Sequence, residues 1–168
     1  TSAPKVVTVN QIPTATITAN GPTSFCQGGN VTLTANTSTS YLWSNGATTK
    51  SITVNAAGSY SVTVSNGNCS ATSAPQTVTV ASNPVATITP NGSPMLCSGA
   101  SVVLKASSGS SYLWSTGATT QSITVSAAGS YTVKVYNVQG CVTTSAPLAV
   151  TTGGASATII ANGPTTFC

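Results

Sequence analysis

Residues 40–64 read SYLWSNGATTKSITVNAAGSYSVTV, and residues 111–135 read SYLWSTGATTQSITVSAAGSYTVKV. The two stretches agree at 20 of 25 positions, far more than unrelated segments reach by drift, so the chain is built as a tandem array. Within the first copy, Ser51-Ile52-Thr53-Val54 and Tyr60-Ser61-Val62-Thr63-Val64 alternate polar and apolar side chains with β-branched residues prominent. A period of two with that composition predicts half-buried strands. Asn45-Gly46 and Ala57-Gly58 between them are turn signals.

Working outward, the same phase returns every 71 residues at Ile17, Ile88 and Ile159, and again at Cys26, Cys97 and Cys168. Further alternating runs occupy residues 31–35 and 77–80, with counterparts at 102–104, 122–125, 131–135 and 148–151. Gly-, Pro- and Asn-rich turns separate them, and no segment has a helical period. Short strands at roughly ten-residue spacing predict an all-β chain, a β-sandwich of about seven strands per repeat. Residues 1–9 (TSAPKVVTV) align with residues 72–80 (TSAPQTVTV). Residues 1–10 are therefore expected to be the last strand of a preceding repeat, 11–82 repeat 1, 83–153 repeat 2, and 154–168 the first strand of a following repeat. On this reading the natural protein extends beyond both ends.

The composition restricts function. There is no Asp, Glu, His or Arg, and the only charged side chains are Lys5, Lys50, Lys105 and Lys134, for a net charge of +4. General acid–base chemistry near neutral pH uses His or carboxylates, so no enzyme activity and no catalytic residue is expected. Calcium needs several carboxylate oxygens and zinc usually mixes Cys with His, so no metal and no cofactor is expected either. Four dispersed lysines make no footprint for nucleic acid. No run of 18 apolar residues exists to span a membrane. Ser and Thr supply 56 of the 168 residues, which with so few charges implies a polar, uncharged surface. The four lysines are expected to be solvated, where they discourage unwanted strand pairing.

Trp43 lies on the expected third strand, and Tyr60 follows the turn Ala56-Ala57-Gly58 two residues before Val62. This constellation resembles an immunoglobulin-like sandwich, in which a strand-C Trp packs the core and a corner Tyr bonds back to the backbone. The resemblance implies tandem immunoglobulin-like repeats of about 71 residues. It also puts Leu33 and Val62 where such domains commonly carry cysteines, with Leu104 and Val133 in the second copy. Trp43, Tyr60, Leu33, Val62, Trp114, Tyr131, Leu104 and Val133 are the expected core. The patterns Cys-x-Gly-Gly-x-Val-Thr-Leu-Thr-Ala, Tyr-Leu-Trp-Ser-x-Gly-Ala-Thr-Thr and Ala-Gly-Ser-Tyr-x-Val are similar to the tandem Ig-like or PKD-like repeats of Bacteroidota surface proteins. That resemblance implies type IX export and an extracellular or cell-surface location on a bacterium, in adhesins, gliding-associated proteins or stalks of secreted enzymes. Acidic residues are common in that family, and their absence here is a departure.

Five cysteines at regular positions point to disulfides and an oxidising setting. Cys26, Cys97 and Cys168 each precede the second strand of a repeat, and Cys69 and Cys141 each follow the sixth. Proximity in sequence favours Cys26–Cys69 and Cys97–Cys141, within repeats. In an immunoglobulin-like sandwich the second and sixth strands run parallel, which sets those partners at opposite poles and favours Cys26–Cys141 between repeats. Cys69, Cys97 and Cys168 would then pair with flanking repeats. The choice turns on residues 43–60: a single strand over residues 47–54 would reverse the sixth strand and make the within-repeat pairs natural.

Trp43, Trp114, Tyr41 and Tyr112 could form an aromatic sugar-binding platform, but their strand parity places them in the core or at its rim. Asn30, Asn36, Asn68 and Asn91 begin Asn-x-Ser/Thr sequons, about as many as this Ser/Thr content produces by chance, and are assigned no function. The expectation is a structural repeat region of a long extracellular stalk, adhesin or filament, braced by disulfides. Its partners would be neighbouring repeats of the same chain, with lateral or end-to-end self-association or strand exchange through residues 1–9 as options. The alternatives are a multivalent module binding a surface glycan or other surface ligand, or a spacer in a secreted enzyme.

Overall fold

The structure, a computed structural model, describes residues 3–5 and 9–153. The chain divides into two compact units, Thr1–Ser82 and Asn83–Cys168. Strands β1 (Ile17–Asn20), β2 (Ser24–Cys26), β3 (Val31–Ala35), β4 (Ser40–Trp43), β5 (Ser51–Val54), β6 (Gly58–Tyr60), β7 (Val62–Ser65), β8 (Ser70–Thr72) and β9 (Gln76–Ala81) build the first. One sheet has the order β1-β3-β5. The other has two halves, β4-β7-β8 and β2-β9-β6, which continue into one another because β6 and β7 are separated only by Ser61, and β8 and β9 only by residues 73–75. All pairings are antiparallel except β2 with β9. This is an all-β, immunoglobulin-like sandwich, the fold class read from the sequence.

The layers follow from the alternation. Along β3, Val31, Leu33 and Ala35 are buried while Thr32 and Thr34 face outward. The core of the unit sets Val31, Leu33, Ile52 and Val54 of one sheet against Trp43, Val62, Val64 and Val78 of the other. Burying a side chain of this size is worth about 1.5–3 kcal/mol, so these strands hold together through their inner faces. The outer faces pair hydroxyl with hydroxyl: Thr32 with Thr53 at 3.1 Å, Thr34 with Ser51 at 2.9 Å, and Thr63 with Thr72 at 2.9 Å. The high Ser/Thr content is thus spent on an uncharged, internally hydrogen-bonded surface.

The second unit has the same plan. Its strands are β10 (Ile88–Asn91), β11 (Met95–Leu96), β12 (Val102–Ala106), β13 (Ser111–Trp114), β14 (Ser122–Val125), β15 (Gly129–Tyr131), β16 (Val133–Tyr136), β17 (Val142–Thr144) and β18 (Leu148–Thr152). Its sheets run β10-β12-β14, β13-β16-β17 and β11-β18-β15. Leu104, Trp114, Val133 and Val135 lie in its core.

The segment between Trp43 and Tyr60 decides the course of the sixth strand. Strand β5 covers only Ser51–Val54, so residues 47–54 do not form the single strand that would have reversed it. Gly46 N donates to Trp43 O at 2.9 Å and Trp43 N to Ala47 O at 2.8 Å, so the chain turns back at residues 44–46 before β5 begins. Gly46 has a φ of 85°, a left-handed conformation that a side chain would strain. The extra reversal leaves β5 antiparallel to β3, and the short link at residues 55–57 turns the chain again. Strands β6 and β7 therefore run in the same direction as β3.

Of residues 1–10, expected as a preceding repeat's last strand, residues 3–5 and 9–10 carry no strand and the others lie outside the described residues. The expected opening strand at 154–168, with Cys168, also lies outside them. No helix among the described residues is long and apolar enough to cross a membrane.

Candidate functional site

The poles of each sandwich carry the features that could join it to something else, and the strands place them there. β2 and β9 run parallel with Cys26 opposite Ala81, the last residue of β9. Cys26 therefore sits at the pole where the chain leaves the first unit. Cys69 sits just before Ser70, where β8 begins, at the pole where the chain enters. There its Sγ donates to Asn10 O at 3.8 Å, and Asn66 Nδ2 donates to Gln11 O at 2.6 Å. From Ser70 to Ala81 the strand pair β8–β9 extends roughly 30 Å at about 3.3 Å per residue. A disulfide requires Cα atoms within about 7 Å.

The same geometry recurs in the second unit. Cys97 follows β11, whose Leu96 O accepts from Gly153 N at 2.8 Å, at the pole where that unit's strands end. Cys141 precedes β17 at the opposite pole and is buried. Cys26 and Cys141 are each disulfide-bonded, whereas Cys69 and Cys97 are free thiols. The within-repeat alternative, Cys26–Cys69 and Cys97–Cys141, is therefore not formed. The reason is the parallel course of β3 and β7, and of β12 and β16 in the second unit, which sets each such pair at opposite ends of a sandwich.

The turns that hold these cysteines are alike from unit to unit. Cys26 O accepts from Gly29 N at 2.9 Å, and Cys97 O from Ala100 N at 3.0 Å. At the other pole, Asn66 N donates to Cys69 O at 3.1 Å, while Asn66 Oδ1 accepts from Cys69 N at 3.0 Å. Asn137 holds Cys141 by the same two bonds, at 3.0 and 2.9 Å. A short Asn side chain that folds onto its own turn in this way fixes the direction of the cysteine three or four residues on.

The remaining named residues are structural. Trp43 and Trp114 are 2% exposed, and their indole N–H groups donate to Thr49 O and Thr120 O, each at 2.8 Å. Tyr41 and Tyr112 are half-buried against the cores, with hydroxyls bonded to the backbone of Ser38 and Gly109. These four rings make no sugar-binding platform. The corner tyrosines bond back to the turn before them: Tyr60 Oη donates to Ala56 O at 3.1 Å and Tyr131 Oη to Ala127 O at 2.9 Å. Tyr131 is buried and Tyr60 half-buried. Leu33, Val62, Leu104 and Val133 are fully buried. Of the sequon asparagines, Asn36 is engaged by backbone at both amide atoms, with Thr14 O and Thr16 N. Lys50 Nζ donates to Thr37 Oγ1 at 3.2 Å on the surface.

Two serines were missed by the sequence reading. Ser73 and Ser145 are buried at the break between the two halves of the last strand. Ser73 N donates to Val62 O at 2.9 Å, and Val62 N donates to Ser73 Oγ at 3.2 Å. Ser145 bonds Val133 in the same way. The hydroxyl replaces a ladder partner where the following Ala-Pro forces the strand off its neighbour. The signal was present in the repeated Thr-Ser-Ala-Pro of residues 72–75 and 144–147.

An open pocket of about 350 Å³ lies at the Cys26 pole of the first unit, lined by Gln27 and residues 55–57 and 80–82. All of these are uncharged, so it offers a surface for contact and no group for acid–base chemistry. Among the described residues no group of three or more His, Cys, Asp or Glu stands together as a metal site would need.

No protein-family model and no curated protein matches the chain. Among solved structures, it is similar to a chain of the crystal structure of mouse coronavirus receptor-binding domain complexed with its murine receptor. The identity is 14%, the TM-score 0.43, and the match covers 82% of this chain and 98% of that one. It is also similar to the human OSCAR ligand-binding domain, at 15% identity and a TM-score of 0.35, covering 84% of this chain and 100% of that one.

Proposed function

We propose that the chain is the structural repeat region of an extracellular stalk, adhesin or filament, in which neighbouring sandwiches are stapled by a Cys26–Cys141 disulfide. The observation that supports this reading is the division of the cysteines. The oxidised pair consists of one residue at the pole where a unit's chain leaves and one at the pole where a unit's chain enters, and their within-unit counterparts are thiols. With a peptide link at Ser82–Asn83 and a disulfide beside it, two modules share two covalent connections. That is one more than a free hinge allows, and tension applied to the array passes through covalent bonds.

An immunoglobulin-like sandwich with a disulfide is the build of a binding or structural module, and disulfides belong to secreted and surface proteins. The similarity to Bacteroidota surface repeats supports placing this one on the outside of a bacterium. A chain with no Asp, Glu or His takes no catalytic part in this role. The test is non-reducing peptide mapping after chymotrypsin, which cuts at Phe25, Leu33, Tyr60, Leu96, Leu104, Tyr136 and Leu148 and so separates all four described cysteines. A peptide bearing Cys26 linked to one bearing Cys141 is the expected result. Cys26 linked to Cys69, or both cysteines alkylated without reductant, would refute the reading.

A further inference from the structure

We propose that the parallel strand pair of each unit, β2 with β9 and β11 with β18, is a latch that sets the load the unit withstands, and that the second unit's latch is the weaker. The proposal concerns each unit by itself. It rests on the reading above only in that the array bears tension, and not on which cysteines pair. Among the described residues every other ladder is antiparallel, and these two alone are parallel.

The consequence of that direction is mechanical. The chain enters the first unit through β1 and its continuation β2, and leaves it through β9, so tension along the chain draws β2 toward the entry pole and β9 toward the exit pole. Because the two strands run parallel, they are pulled along their ladder, and its hydrogen bonds lie across the pull and share it. Antiparallel pairing of the same strands would bring both loaded ends to one pole, where the bonds would open one at a time. Strand β1 must also slide along β3, but only β2 and β9 are bonded to each other and pulled from both sides.

The two latches differ in length. In the first unit Ser24, Phe25 and Cys26 lie opposite Thr79, Val80 and Ala81, and the ladder is closed at its ends by Thr79 N donating to Thr23 O and Gln27 N donating to Ala81 O, each at 2.8 Å. In the second unit only Met95 and Leu96 pair, with Thr151 and Thr152, flanked by Thr151 N donating to Pro94 O at 3.0 Å and Gly153 N to Leu96 O at 2.8 Å. Phe25 and Leu96 pack into the respective cores and anchor the inner face of each latch. The second ladder is one residue pair shorter, so fewer bonds share the same tension and that unit yields first.

The test pulls the whole Cys168→Ser chain by its two ends at constant force, in reductant so that every cysteine is a thiol, and reads the unfolding rate of each unit. The parent should show two events, one about fivefold faster than the other, the effect of one hydrogen bond. Thr151→Pro deletes the donor to Pro94 O and should speed the faster event by about fivefold or more while the slower one stays as it was. Ser145→Ala removes the acceptor for Val133 N in the same unit but off the latch. It should lower that unit's urea midpoint yet leave its rate under load within about twofold, because that bond is still intact when the latch gives way. Should the proline variant not fold, the latch can be tested intact by a handle on the Cys97 thiol of the Cys69→Ser, Cys168→Ser chain, attached before reductant is added. Cys97 follows β11 at the exit pole, so pulling it against the C-terminal end peels β11 from β18, and opening should be at least about tenfold faster than from the two ends. Equal rates in the parent, equal acceleration by Thr151→Pro and Ser145→Ala, acceleration of the slower event by Thr151→Pro, or opening from Cys97 no faster than from the ends would overturn the inference. The chymotryptic map of the same protein without reductant decides the Cys26–Cys141 staple separately.

Discussion

Replacing Ser73 by Ala removes one oxygen atom, and the structure says what that costs. Ser73 Oγ is the acceptor for Val62 N at 3.2 Å, and Val62 has no exposure. Deleting the acceptor leaves a buried N–H that water does not reach, a loss of about 1–3 kcal/mol. The neighbouring amide supplies a control: Ser61 N donates to Ser44 Oγ, also at 3.2 Å, but at an exposed site. There water takes the place of the hydroxyl, and Ser44→Ala should cost no more than about 0.5 kcal/mol. A sandwich of this size has a total stability of about 4–12 kcal/mol, so the first loss is a large share and the second is marginal. Trp43 lies directly across from Val62 in the ladder, which makes its fluorescence a local reporter. In a Trp114→Phe background, which leaves Trp43 as the sole indole, urea unfolding should show Ser73→Ala lowering the midpoint by about 1–3 M, for a slope of about 1 kcal/mol per M. The Ser44→Ala midpoint should stay within about 0.5 M of the parent. Equal shifts in the two variants would refute the argument, because length and donor are the same and only burial differs.

Three further outcomes are expected. Tyr131→Phe should destabilise its unit by about 1–1.5 kcal/mol and Tyr60→Phe by about 0.5 kcal/mol, since the first hydroxyl makes a part-buried bond of 2.9 Å and the second an exposed one of 3.1 Å. Midpoints in the reverse order would contradict the assigned burial. With no Asp, Glu or His in the chain, no side chain changes its proton count between about pH 4 and about pH 7 in either state, so the linkage slope is near zero and the urea midpoint should not move; a drift worth more than about 1 kcal/mol would disprove this. In the Cys168→Ser chain, a maleimide should label exposed Cys97 before half-buried Cys69, and label Cys26 and Cys141 only after reduction. Mass spectrometry of the chymotryptic peptides reads the order, and labelling of Cys26 without reductant would be incompatible with its oxidised state.

The sequence by itself determined the strands and their inner faces. Val31-Thr32-Leu33-Thr34-Ala35 can bury only one of its two faces, and Val, Leu and Ala must be that face, so the period of two is enough to place Leu33 inside. The fold class follows from the number and spacing of such runs. Trp43 and Tyr60, with their turn chemistry, pointed to the corner that Tyr60 and Tyr131 make with Ala56 and Ala127. The absence of carboxylates and imidazoles likewise needed no coordinates, because it is a property of composition.

What only the tertiary structure decided is direction and distance. Residues 43–60 were compatible with either course of the sixth strand, since alternation is blind to whether a strand runs up or down. The turn at Gly46, closed by Trp43 and Ala47, settles it, and with it which cysteines lie roughly 30 Å apart. The roles of Ser73 and Ser145 were hidden for a related reason. A Ser in a Ser-rich strand is indistinguishable by pattern, and becomes a ladder partner only when the chain beside it, here Val62 or Val133, presents an amide that nothing else can reach. Local pattern depends on neighbours along the chain, whereas a disulfide or a buried hydroxyl depends on neighbours across it.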